Sequence, residues 1–293
     1  MNWIKEYKAS LKDIPLEELP DLVFFRPLAF LLVKLLVRFP VTPNQISLST
    51  IAIGFVTGVI LSFGGHRHFI LGAILYGFAN VVDCADGMLA RLKKNGTMIG
   101  KTVDAAADGI TTSLVYGGFT VGLIRAQSDG LLSFSHDPAL MMALTCVCTF
   151  LHAVVTDKYR TLYDAHVNGN MILPEVEKQR FTAERDRLKE GVGNKFDIFA
   201  INVYLLILRL QTGGIIRRFV RIPAERYRRY QTPLVIAWNL AGQVMHISVF
   251  IIAAILYRPG LFFGYTLIVA NIWVLVLYVI QKAVDRIVTM RAA

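Results

Sequence analysis

The chain contains six apolar stretches, each long enough to cross a lipid bilayer as a helix. A hydrocarbon core about 30 Å thick needs roughly 20 mostly apolar residues. Hydrophobic residues make up 55% of the 293-residue chain and charged residues only 18%, which is unusual for a water-soluble protein. The sequence therefore predicts an all-α integral membrane protein with six transmembrane helices. These are Gln45–Gly64, Phe69–Leu92, Met98–Leu123, Pro138–Val155, Pro233–Tyr257 and Leu261–Ile280.

The basic residues predict the orientation of these spans. If the N-terminus is cytoplasmic, all but three of the 31 Lys and Arg residues lie on the cytoplasmic side, the exceptions being Arg67, Arg125 and Arg258. We therefore expect both termini inside, and the inner membrane as the location if the source is bacterial. The net charge of +10 indicates cytoplasmic loops and anionic headgroups rather than nucleic acid, because no motif that reads bases accompanies it.

The segments outside the spans divide the chain into four regions. Residues 21–39, DLVFFRPLAFLLVKLLVRF, mix basic residues with an apolar stripe, which predicts an amphipathic helix on the membrane surface. The predicted regions are a cytoplasmic or interfacial N-terminus (1–43), spans one to four (44–156), a basic cytoplasmic or interfacial loop (157–231), and spans five and six with a short tail (232–293).

The basic loop contains two further stretches. The sequence PEVEKQRFTAERDRLKEGVGNK predicts a solvated helix that ends at glycines. The sequence FDIFAINVYLLILRLQ is short and interrupted by polar residues, which favours an interfacial helix over a seventh span.

Four aspartates stand at the shared end of spans two and three. Asp83 and Asp86 are three residues apart, and Asp104 and Asp108 are four apart, so each pair shares one helix face. The intervening KKNG turn lets the two helices run antiparallel, which brings both pairs together near the cytoplasmic surface. Carboxylates this close repel one another unless cations neutralise them, and hard oxygen ligands suit Mg²⁺, Mn²⁺ or Ca²⁺. Two such ions can clamp a phosphate for in-line displacement.

Small residues and one arginine surround these aspartates. Gly87, Ala90, Gly100 and the alanines at 105–107 allow close approach of helices or of a ligand. Arg91 follows the first aspartate pair and can bind a phosphate in bidentate fashion.

These residues together carry a resemblance to a known family. The pattern D-x2-D-G-x2-A-R-x8-G-x3-D-x3-D is the signature of the CDP-alcohol phosphotransferase family, and this chain matches every position and spacing. The segment VTPNQIS at 41–47 is similar to the family's segment before its first span. The matching signature residues are Asp83, Asp86, Gly87, Ala90, Arg91, Gly100, Asp104 and Asp108.

The resemblance implies a metal-dependent transfer. Members move a phosphatidyl or phospho-alcohol group from a CDP-linked donor, here most simply CDP-diacylglycerol, to a hydroxyl acceptor and release CMP. Asp83, Asp86 and Asp104 would bind Mg²⁺ or Mn²⁺ as a pair of ions. Asp108 would bind metal and act as general base.

The resemblance also implies a donor site and an assembly. The expected donor contacts are Gly87, Arg91, Thr97, Pro43 and Asn44. Family members are homodimers whose active site opens to the cytoplasm. Lys158 and Arg160 lie on the side where they can meet an anionic acceptor, although charges that follow a span are commonly anchors at the interface.

Two alternative functions are a membrane transporter and a related phosphotransferase. A transporter with an acidic ion-binding site would show paired hydrophobic halves, which this sequence lacks. A CDP-alcohol:diacylglycerol phosphotransferase would use the same carboxylates. Because Gly109 stands where several family branches have Arg or Lys, the acceptor alcohol stays open. His152 and His246 are interpreted as core histidines, and the three cysteines as buried hydrophobes rather than a disulfide or zinc site.

Overall fold

The structure is a computed structural model that describes residues 3–93, 98–133, 136–169, 174–190, 195–211 and 222–290. All regular elements in these ranges are helical, which confirms the predicted all-α class. The helices are α1 (Trp3–Ser10), α2 (Arg26–Leu36), α3 (Pro43–Leu61), α4 (His66–Lys93), α5 (Met98–Ser128), α6 (Pro138–Val167), α7 (Pro174–Glu190), α8 (Lys195–Gln211), α9 (Ala224–Asn239), α10 (Gln243–Ile255), α11 (Pro259–Gly264) and α12 (Ala270–Met290).

Five segments of the described chain are long and apolar enough to cross a membrane. They coincide with five of the six predicted spans. The third predicted span, Met98–Leu123, forms α5 but is not among the five, because charged and small polar residues interrupt it. The number of six spans and their orientation therefore stay predictions. The five segments are Pro43–Leu61, His66–Lys93, Pro138–Val167, Ala224–Ile255 and Pro259–Val288.

Two of the long helices begin at side-chain caps that the sequence encodes locally. Thr42 accepts a hydrogen bond from the backbone N–H of Gln45, and the Gln45 side chain accepts one from the N–H of Thr42. The Asp137 carboxylate caps α6 by accepting hydrogen bonds from the N–H groups of Ala139 and Leu140. Each cap satisfies donors that a helix start leaves without an intrahelical partner. The cap at Thr42 fixes where α3 enters the bundle, next to the carboxylates.

Helix α3 packs closely against α5 through glycines. A Cβ atom on Gly118 would overlap the carbonyl of Gly58, and one on Gly122 would overlap the carbonyl of Leu61. Only glycine permits backbones to approach this closely, as in other tightly packed membrane helices. This contact holds α3 and α5 in a fixed register.

The predicted surface helix is one π-helical turn, Asp21–Phe25, followed by α2. Ala29, Phe30 and Val33 are buried in the cluster that also contains Met88 and Leu89 of α4. The opposite face exposes apolar Leu28, Leu31 and Leu35. Arg26, which the sequence places among surface basic residues, is instead buried. The location of this helix on the membrane surface stays a prediction.

Helix α6 continues without a break to Val167, beyond the predicted end of the fourth span at Val155. Polar residues do not end a helix that leaves the bilayer, so Lys158 and Arg160 are helical. The predicted solvated helix is α7, and α8 packs against it through Phe181, Ile201 and Leu205. Helix α8 is not among the five candidate spans, and its interfacial position stays a prediction.

The cysteine prediction is correct in part. Cys84 is buried, but Cys146 is exposed on α6 beside other outward-facing apolar residues such as Val147 and Phe150. A span that faces lipid leaves apolar side chains exposed in the protein alone, which explains the difference.

Candidate active site

Helices α4 and α5 run antiparallel and bring the aspartates together. Tyr76 pairs with Thr112, Asp83 with Asp108, and Asp86 with Asp104, so positions rise along one helix as they fall along the other. Carboxylate oxygens of Asp83, Asp104 and Asp108 all lie within 4.8 Å of one another. The predicted convergence of the two aspartate pairs is therefore present in the structure.

Asp86 completes the group through a neighbour that sequence reasoning missed. The hydroxyl of Ser47 donates a hydrogen bond to Oδ2 of Asp86, and both side chains are buried. Ser47 lies in α3, one turn after Pro43, and belongs to the VTPNQIS segment. The similarity of that segment to the family's was the sequence signal that could have identified Ser47 as a site residue. The cap at Thr42 thus positions a hydroxyl group that orients one of the four carboxylates.

The chemistry of these donors fits a divalent cation. Oδ1 of Asp83 is buried and, within the described part of the chain, has no hydrogen-bond partner. An anionic oxygen that is neither solvated nor hydrogen-bonded is costly in a low-dielectric interior. A cation held by the clustered carboxylates would satisfy it, and such hard oxygen ligands match Mg²⁺ and Mn²⁺.

Arg91 lies over Gly87 beside this cluster. A Cβ atom at Gly87 would come within 3.5 Å of one terminal nitrogen of Arg91 and 3.6 Å of the other. The Nε–H of Arg91 donates to the carbonyl of Ser10 at 2.5 Å, whereas its buried Nη2 has no hydrogen-bond partner among the residues that the structure describes. An unpartnered guanidinium donor next to a residue without a side chain leaves room for an anionic group such as a phosphate.

The segment Ser10–Asp21, here called the N-terminal strap, lies against the site, which the sequence did not predict. Lys12 is close enough to Asp104 and Asp108 to interact with them electrostatically. Asp21 accepts a hydrogen bond from the thiol of Cys84, the neighbour of Asp83, at 3.5 Å. The strap therefore reaches from Arg91 to the carboxylate cluster.

Buried ion pairs attach the strap to the bundle. Arg26 contacts Glu17 at 3.0 Å and Asp21 at 4.0 Å. Burial raises the pKa of Asp21, and the positive charge of Arg26 opposes that shift. Burial likewise raises the pKa of Glu18, against the opposing charge of Arg160. The three buried strap carboxyl groups, those of Glu17, Glu18 and Asp21, are thus each paired with an arginine, as buried charges require.

The two candidate acceptor residues point to different neighbours. Nη2 of Arg160 donates to Glu18 at 2.9 Å, and its Nε donates to Asn239 at 2.7 Å. Lys158 is half-buried and interacts electrostatically with Asp285. The structure therefore connects Arg160, but not Lys158, to the strap.

The remaining predicted site residues fall in three places. Pro43 and Asn44 form the first turn of α3, one turn before Ser47. Thr97 lies outside the described residues. His152 and His246 are buried and hydrogen-bonded to each other at 3.2 Å, with further bonds to Asn271 and Thr266. This is the satisfied core arrangement expected for them.

Comparison with known proteins identifies the class of protein. The model of the CDP-alcohol phosphatidyltransferase family matches residues 40–253, which is most of the chain and includes all four aspartates. The chain therefore belongs to the CDP-alcohol phosphatidyltransferase family. This confirms the predicted family and, with it, the predicted class of enzyme, a CDP-alcohol phosphotransferase.

One curated relative is similar over part of its length. A phosphatidylinositol phosphate synthase of Corynebacterium glutamicum is 33% identical to this chain over 138 residues. The aligned part covers 47% of this chain and 56% of the relative. The chain thus spans little more than half the length of the curated relative it matches.

Proposed function

We propose that this chain is a metal-dependent enzyme of phospholipid synthesis that transfers a phosphatidyl group from CDP-diacylglycerol to a hydroxyl acceptor. The observation that carries the proposal is the convergence of Asp83, Asp104 and Asp108 within 4.8 Å at one end of apolar helices. Family membership supports a CDP-linked donor and phospholipid products. A lipid donor accounts for a charged site at the edge of membrane-spanning helices.

The four aspartates would hold the metal. Asp83, Asp86, Asp104 and Asp108 supply only carboxylate oxygens, the ligand type that Mg²⁺ and Mn²⁺ prefer. A pair of bound ions would supply electrostatic stabilisation of the charge that develops on the phosphates. Ser47 holds the Asp86 carboxylate in a fixed orientation through its hydroxyl group.

Asp108 is proposed as the general base. An alcohol is a weak nucleophile at neutral pH, so a carboxylate that accepts its proton assists the attack. The acceptor oxygen forms a bond to the phosphorus that bears the lipid. The phosphoanhydride bond to CMP breaks, CMP leaves as an anion, and the hydroxyl proton goes to the Asp108 carboxylate.

The donor would bind between α3 and α4. The unpartnered Nη2 of Arg91 supports a role in holding a donor phosphate, and Gly87 leaves the space beside it. Pro43 and Asn44 stand at the start of α3, and Thr97 is proposed on the resemblance alone. Lys158 and Arg160 are the proposed acceptor residues, of which Arg160 is the better supported because the strap connects it to the cluster.

The charge pattern and the family support a proposal for the location, orientation and assembly of the protein. The chain would be an integral membrane protein, of the inner membrane if bacterial, with its active site facing the cytoplasm and a homodimeric assembly. The basic residues on the side of the aspartates support that orientation.

The test is CMP release from the purified protein in lipid nanodiscs. The reaction contains Mg²⁺ or Mn²⁺, CDP-diacylglycerol and an acceptor panel of inositol, glycerol, their phosphates and serine. We expect CMP with at least one acceptor, and none from Asp108→Asn although that variant still binds the CDP-lipid. Loss of CDP-lipid binding in Asp108→Asn would instead make Asp108 chiefly a metal ligand.

Two other outcomes would change the assignment. CMP release only from a CDP-linked alcohol with diacylglycerol as acceptor would reverse donor and acceptor. No release in either format would contradict the catalytic proposal and favour the transporter.

A further inference from the structure

The carboxylate of Glu18 in the strap is hydrogen-bonded at both oxygens and packed against a glycine. Its Oε1 accepts a hydrogen bond from Nη2 of Arg160 at 2.9 Å, and its Oε2 accepts one from the backbone N–H of Met245 at 2.9 Å. The side chain is only 3% exposed. A Cβ atom at Gly242 would overlap the carboxylate, so the glycine provides the space that Glu18 occupies.

Arg160 is held in place from the other side as well. Its Nε donates to Oδ1 of Asn239 at 2.7 Å. The Asn239 side-chain amide in turn donates to the carbonyls of Pro15 and Glu17 at 2.9 and 2.8 Å. The strap therefore supplies the counter-charge of Arg160 and also holds Asn239, the residue that orients Arg160.

The same strap connects this ion pair to the carboxylate cluster. Three residues after Glu18, Asp21 contacts Cys84, which adjoins Asp83. Lys12 at the other end of the strap interacts with Asp104 and Asp108. The paired Arg160 and the carboxylate cluster thus contact one and the same segment of the chain.

We propose, on the basis of the function proposed above, that Glu18 determines acceptor specificity by neutralising Arg160, so that the enzyme takes an alcohol that carries no phosphate. A phosphate brought to Arg160 would stand next to the Glu18 carboxylate, and like charges at short range repel strongly in a partly buried site. To release Arg160, Glu18 would have to leave a buried position that the Met245 N–H and Gly242 shape for it.

The test compares matched acceptors in three proteins. The acceptors are inositol against inositol phosphate and glycerol against glycerol phosphate, and the readout is kcat and KM for CMP release in nanodiscs. The proteins are the wild type, Glu18→Gln and the control Glu6→Gln. Glu6 is also an N-terminal glutamate paired with a basic residue, Lys34, but its partner lies in α2 and not in the site.

The wild type is expected to use one unphosphorylated alcohol with a kcat/KM about tenfold or more above that for its phosphate, the scale of a like-charge contact. In Glu18→Gln this ratio should shrink by about tenfold, through a lower KM for the phosphorylated acceptor. Glu6→Gln should keep the wild-type ratio. A wild type that prefers the phosphate, or an unchanged ratio in Glu18→Gln, overturns the proposal.

The wild-type ratio and the total CMP release can each be interpreted without the Glu18→Gln variant. If Glu18→Gln is not recovered as a folded protein, the wild-type ratio still decides, because a preference for the phosphate overturns the proposal without any variant. If no acceptor releases CMP in any protein, the proposed function fails. If a phosphorylated acceptor is preferred, only the role of Glu18 fails.

Discussion

Because Gly87 has no side chain, it leaves space beside the charged guanidinium of Arg91. Its helix position faces the Arg91 guanidinium, whose Nη2 is buried without a partner. A methyl group there would meet the guanidinium at ordinary van der Waals distance, so the protein would tolerate it. A phosphate bound to Arg91 would lose part of its space.

Gly87→Ala is therefore expected to separate stability from donor binding. Alanine favours a helix over glycine by about 0.5–1 kcal/mol, so the melting temperature should stay level or rise. The KM for CDP-diacylglycerol should rise about tenfold, the scale of one weakened hydrogen bond to a charged group. Steady-state kinetics and thermal melting in detergent measure the two effects.

The control is Gly77→Ala on the same helix, where a Cβ atom would contact only Ile251 at 3.5 Å. It should leave the donor KM unchanged. An unchanged KM in Gly87→Ala as well would remove Gly87 and Arg91 from the donor site.

At the level of elements, the contact between α3 and α5 determines whether the site can form. Ser47 of α3 holds Asp86, while Asp104 and Asp108 belong to α5. Any displacement of α3 from α5 would therefore move Ser47 relative to the carboxylates. The glycines of this contact act on the site without touching it.

Two adjacent glycines of α5 provide a matched test. A Cβ atom at Gly118 would overlap the carbonyl of Gly58, whereas at Gly117 it would meet no atom of the described ranges within 4 Å. Gly118→Ala should destabilise the protein by about 1–3 kcal/mol, the usual cost of overpacking, and lower activity. Gly117→Ala should do neither. Equal melting temperatures for the two variants would show that α3 and α5 are not packed as described.

Over the whole molecule, the features that could be predicted from the sequence are those set by residues close together in the chain. The aspartate spacing and the apolar runs each act within a few turns of helix, so their consequences could be predicted from the chain. Family resemblance supplied the roles of residues that spacing alone does not assign.

The strap could not be predicted, because its contacts join residues far apart in the chain. Glu18 and Arg160 are separated by 142 positions, and Asn239 bonds to carbonyls more than 220 positions away. Such pairs depend on how the whole bundle packs. The boundary of α6 was missed for a related reason, since tertiary contacts of Arg160 and Tyr163 support the helix beyond its apolar part.

Mn²⁺ binding tests directly, without knowledge of the acceptor, whether the four aspartates form a divalent metal site. Electron paramagnetic resonance of free Mn²⁺ during titration gives the number of ions bound. The wild type is predicted to bind about two ions per chain. Asp83→Asn should lose this binding, whereas Asp21→Asn, a buried strap carboxylate outside the cluster, should retain it. Mn²⁺ binding that survives in Asp83→Asn would contradict the account.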